Sequence, residues 1–221
     1  MKPLESIINM RNKPLYIGSA IYILVSIILG ILMRNGLVLF LGWNMFLATI
    51  PLVLSELLVH KKSKFLRLGI AFLFIIFFPN TIYIMTDFIH FQNYTFFTEY
   101  PNIYAFFIND WIVFTHLVIG AIIASKIGII ALQIMMSHYT QIKKIYKVLG
   151  MNILFILSSA AIFIGRFLRF NSWEVFKINL ILDNVFQHFQ FFIQFVMLSF
   201  IMHWVIYFVF HEKKEPMAQI K

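Results

Sequence analysis

The sequence contains no cysteine, which excludes a disulfide framework and any thiolate-ligated metal centre. Charge is scarce as well. Only 12% of the residues are Asp, Glu, Lys or Arg, about half the roughly 25% of an average soluble domain. There is no P-loop, dinucleotide fingerprint, G-x-S-x-G or H-E-x-x-H, so the local signatures that announce nucleotide binding, serine hydrolysis or zinc proteolysis are missing. No repeat, low-complexity segment or linker divides the chain. It reads as one domain over residues 1–221, with no cofactor expected.

What is present is apolar. Of the 221 residues, 61% are hydrophobic, and the mean hydropathy is +0.86. Several runs reach about 20 residues, the length a helix needs to cross roughly 30 Å of hydrocarbon. A membrane barrel would instead alternate polar and apolar residues in short segments. The pattern predicts an all-α integral membrane protein, a six-transmembrane-helix bundle. Its spans fall near 15–33, 37–59, 68–85, 111–136, 148–167 and 186–210. Asn35-Gly36 supplies the positive φ expected for the tight first connection. Pro79 interrupts the third span, freeing carbonyls that must find partners nearby.

The net charge of +9 would suggest nucleic acid in a soluble protein. Here the Lys and Arg lie between the apolar runs, so they read as anchors beside anionic lipid, and no nucleic-acid partner is expected. Thirteen of the 18 fall on the two tails and the second and fourth connections, and four on the first, third and fifth. That bias places both termini in the cytoplasm of a multi-pass cell-membrane protein, N-in and C-in. The first span has no small-residue cleavage site after it and reads as an uncleaved anchor.

This orientation gathers the unusual polar residues in the outer leaflet: Asn44, Asn80, Tyr83, His116, Arg166, Arg169, Gln187, His188, Gln190 and Gln194. Polar groups within spans are costly and normally face protein or a water-filled cavity. Asp87 and His90 are three apart and share a face on a helical turn. They suit an ion pair, a general base with its orienting partner, or part of a metal shell. Asp110, His116, Asp183 and His188 would enlarge such a donor set, but no two of the histidines have ligand-like spacing, and no metal is expected. Arg166 and Arg169 are also three apart, and two guanidinium forks suit a phosphate, a carboxylate or an internal acid. Trp173 reads as an aromatic-belt residue. Lys126 is expected to snorkel to the cytoplasm, and Glu56 to pair with His60 and nearby lysines. Gln187, Gln190 and Gln194 suggest a stripe hydrogen-bonding between helices.

Two blocks carry a resemblance. "PNTIYIMTDFIHF" (79–91) resembles the Pro-Asn-x-x-Tyr-x-x-Thr-Asp-x-x-His signature of the DUF1361 family, uncharacterised bacterial multi-pass membrane proteins. "GRFLRFNSWE" (165–174) is similar to that family's second block, with Glu174 in place of the usual Asp. The resemblance implies a membrane bundle and brings no activity with it. From the residues themselves, the expected site is outward-facing and comprises Asn80, Tyr83, Asp87, His90, Arg166, Arg169, Asn171, Trp173 and Glu174. It would bind or transport an anionic lipid or lipid-linked ligand. The alternatives are an intramembrane hydrolase or transferase using Asp87 and His90, and a non-catalytic accessory subunit in which the cluster is only structural.

Overall fold

The computed structural model describes residues 12–61, 63–98, 103–139, 141–170 and 177–212. The described residues form eight α-helices: α1 (Lys13–Leu32), α2 (Gly36–His60), α3 (Lys64–Phe77), α4 (Asn80–Tyr83), α5 (Ile108–His138), α6 (Lys144–Phe167), α7 (Ile178–Gln187) and α8 (Phe189–Phe210). A 3₁₀ segment, Ile84–Asn93, continues α4. Six helical stretches are long and apolar enough to cross a membrane: α1, α2, the composite Lys64–Asn93, α5, α6 and α8. The chain is a multi-pass, all-α membrane protein. Six crossings bring the start of α1 and the end of α8 to one side, the side of the basic second and fourth connections.

The centre is α2 against α5. Half of the core window of α2 and 61% of that of α5 are buried inside the bundle, against 17% for α8 and 22% for α1. The outermost helices therefore present most of their Ile, Leu, Val and Phe residues to lipid, as a chain without a water-facing surface at this depth requires. Central packing joins Leu41, Met45 and Leu52 of α2 to Leu117, Ala124 and Ile127 of α5.

The first connection is built differently from the expectation. The positive φ falls on Arg34 (51°), while Asn35 is extended (φ −110°). The amide of Asn35 donates to the Gly30 carbonyl (2.9 Å) and that of Arg34 to Ile31 (3.2 Å). This is a Schellman ending, with Arg34 in the position usually given to glycine. Asn35 is used instead as the N-cap of α2, its side chain accepting from the amides of Leu37 and Val38, which satisfies two orphan donors.

Pro79 divides α3 from α4, where it was expected to interrupt the span. The carbonyls around the break are met locally, as a membrane interior demands. Asn80 Nδ2 donates to the Phe77 carbonyl (3.0 Å) and Thr81 Oγ1 to that of Phe78 (2.8 Å). Thr81 then packs on Gly128 of α5, where an added Cβ would sit 2.4 Å from its Oγ1. Glycine at that position lets α4 lie directly on α5.

The last span differs too. It begins at Phe189, and residues 178–187 form a separate helix, α7, whose break from α8 falls at His188. Gln187 therefore ends one helix while Gln190 and Gln194 sit on the next, and all three are exposed. The expected stripe does not exist, because its spacing assumed one continuous helix.

Candidate functional site

The 3₁₀ segment places the acidic block of the sequence. Three residues per turn align residues i and i+3 on one edge, so Asp87 and His90 come together, His90 Nε2 lying 3.9 Å from Asp87 Oδ1. The outer end of α6 brings Arg166 to the same point. Its Nε and Nη2 both donate to Thr86 Oγ1 (2.9 and 2.7 Å), Nη2 also donates to Asp87 Oδ1, and Nη1 donates to His90 Nε2 (3.3 Å). A guanidinium has no acceptor, so His90 takes part as the tautomer with its proton on Nδ1. From α2, Asn44 Nδ2 donates to the second oxygen of Asp87 (2.9 Å).

Three spans are joined by these contacts. The Asp87 side chain is fully buried, that of Arg166 is 8% exposed, and that of His90 is 32% exposed. Burying either charge alone would be prohibitive; together, with every carboxylate oxygen hydrogen-bonded, they meet the condition under which buried pairs persist. Thr86 completes the accounting, since its hydroxyl accepts twice from Arg166 and donates to the Tyr83 carbonyl (2.7 Å). The Arg166 guanidinium also lies over the Tyr83 ring, 4.3 Å from its centre, a favourable cation–π geometry. Gly165 makes room for that ring: an added Cβ would be 3.2 Å from Tyr83 Cε2.

The remaining expected residues separate into groups. Asn80 serves the break at Pro79 and makes no bond to Arg166. Arg169 lies just past the end of α6, exposed, with a left-handed backbone (φ 58°); it has no hydrogen-bond or ion-pair partner among the described residues. Asn171, Trp173 and Glu174 lie outside the described residues. Asp110 accepts from the Thr95 amide (2.8 Å), and Asp183 and His188 are exposed. Among the described residues no three His, Cys, Asp or Glu side chains form a group able to hold a metal ion.

Glu56, Lys126 and His116 take partners that their spacing does not reveal, and the expected pairing of Glu56 with His60 is corrected. Glu56 is buried and accepts from Asn12 (2.6 Å) and Tyr16 (2.9 Å) rather than from His60. Lys126 reaches the C-terminal end of α8, the end toward which it was expected to snorkel, and pairs there with Glu212 at 2.7 Å. His116 packs on α1, where its Nε2 meets Ser26 Oγ (2.8 Å) and its ring stacks on Tyr22 with centres 4.2 Å apart.

One buried polar seam was not singled out from the sequence. His203 of α8 donates from Nδ1 to the Ser199 carbonyl (2.7 Å) and accepts at Nε2 from Ser158 Oγ (2.8 Å). A histidine in the middle of an apolar run is itself a signal, since ionisable groups at that depth need partners.

A family profile described as "Protein of unknown function (DUF1361)" matches residues 43–209. No curated protein and no solved structure matches the chain.

Proposed function

The chain belongs to the DUF1361 family, and we propose that this multi-pass membrane protein binds an anionic group, such as a lipid phosphate, at its outer end without catalysing its turnover. The observation that carries this reading is Arg169. It is exposed, sits at a left-handed φ of 58°, and lies at the end of the bundle where basic residues are disfavoured. That backbone is the usual one just past a helix end, as at Arg34; what singles Arg169 out is an exposed guanidinium with no partner among the described residues.

In this reading the Asp87–Arg166 pair is the scaffold. It satisfies itself and fixes His90 at the rim, and Arg169, three residues after Arg166 in the chain, extends toward the arriving anion. Tyr83 and Asn44 hold the scaffold in place, and Asn171, Trp173 and Glu174 belong to the segment that follows Arg169. The hydrolase or transferase alternative has less support, because the Asp87 side chain is fully buried and both its oxygens are engaged in holding Arg166 and Asn44.

The test measures retention of phosphatidylglycerol against phosphatidylcholine by the full chain in nanodiscs. Arg169→Ala is expected to lower the anionic preference about fivefold while leaving the unfolding temperature unchanged. Unchanged lipid preference sinks the reading. It would leave the second one, a purely architectural clasp, which the near-complete burial of Asp87 and Arg166 favours.

A further inference from the structure

At the opposite end of the bundle, α5, α6, α8 and the two residues after α8 line an open cavity of about 370 Å³. Leu132, Met136, Val148 and Met151 contribute its apolar part, and Lys144 and Lys147 its positive charge. We propose that this cavity binds an anionic phospholipid of the inner leaflet, its phosphate against the two lysines and an acyl chain over the apolar floor.

The charge around the cavity is unbalanced in a way that asks for an anion. Lys144 and Lys147 are three apart on the first turn of α6, a turn with no acidic residue. Positive side chains there oppose the helix dipole, whose N-terminal end favours negative charge. Lys147 is partly occupied, donating to the Met136 carbonyl (3.1 Å) in the last turn of α5. Lys144 is exposed and has no hydrogen-bond or ion-pair partner among the described residues. The acid that lines the cavity, Glu212, does not cancel them, because Lys126 of α5 donates to its carboxylate.

The walls are held in place. Gln133 Nε2 donates to the Glu212 carbonyl (2.9 Å) and to His211 Nδ1 (2.8 Å), fastening the end of α8 to α5. A free phosphate or carboxylate ion would use the lysines but gain nothing from methionine, leucine and valine. A lipid uses both. Basic pockets between spans on the cytoplasmic side are a recurrent way to seat anionic head groups. This site shares no residue with the outer cluster and does not depend on what that cluster binds.

Native mass spectrometry of the full chain, loaded with phosphatidylglycerol or phosphatidylcholine, provides the test. Lys144→Ala with Lys147→Ala is expected to weaken phosphatidylglycerol retention about 10- to 30-fold. Lys144→Ala alone, which removes no hydrogen bond, should weaken it several-fold in a folded protein. Lys61→Ala with Lys64→Ala removes the same charge elsewhere at this end and should change nothing. Equal losses from both pairs would reduce the effect to surface charge and overturn the proposal. So would unchanged retention in the Lys144 variants, or displacement of the lipid by millimolar inorganic phosphate.

Discussion

The two ends of the bundle treat charge in opposite ways. At the outer end, Arg166 is answered within the chain by Asp87, Thr86 and His90, and little of it remains accessible. At the inner end, Lys144 lines a cavity with an apolar floor, and among the described residues the acid that shares the cavity, Glu212, is engaged by Lys126. A buried charge that is completely paired fixes helices relative to one another. An exposed charge beside a cavity stays accessible from outside the chain. Arg169 shows the same contrast at short range, since it is three residues from Arg166 in sequence yet stands outside the clasp.

The comparison breaks most sharply at Arg166. Removing one partner of a buried pair leaves an uncompensated charge, so Arg166→Ala is expected to cost about 3–5 kcal/mol of stability, read as a large fall in unfolding temperature. Adding Asp87→Asn should return part of the loss, because the stranded carboxylate is then neutral. If Arg166→Ala melts like the parent protein, the outer clasp is not architectural.

A smaller effect should follow from Gly128→Ala, which drives a methyl group into Thr81 and pushes α4, with the 3₁₀ segment behind it, off α5. Overpacking of this kind costs about 1–3 kcal/mol. Hydrogen exchange over residues 80–93 should rise in step with the loss of stability. The smallest change is expected at the inner end. Lys126 and Glu212 pair with side chains 29% and 37% exposed, and pairs that accessible contribute at most about 1 kcal/mol. Lys126→Met should leave the melting temperature nearly unaltered, and a fall comparable to that of Arg166→Ala would erase the distinction between the two ends.

Much of the fold was legible because the bilayer imposes so few solutions. Six apolar runs of spanning length became six spanning helices, and Pro79 divided α3 from α4 within the third span. The candidate site was legible only in part. Asp87 and His90 were placed together by their spacing, and Arg166 was singled out by its position. Nothing local revealed that Arg166 would cross to Asp87 while Arg169 would not, or that Asn80 would be spent on the Phe77 carbonyl.

The glutamines and Glu56 show why. Periodicity assigns residues to one face of a helix only while that helix is continuous, and the break at His188 separated Gln187 from Gln190 and Gln194. It also says nothing about the element across from that face, so the near neighbour His60 lost Glu56 to Asn12 and Tyr16, more than 39 positions away in the chain. Sequence alone determined the class of this protein and the number of its long apolar helices, because hydrocarbon thickness and desolvation act on each segment separately. The tertiary structure decided which polar groups meet, because partners in a dry interior are chosen by helix packing across the bundle, where glycines such as Gly128 and Gly165 set how closely the elements approach.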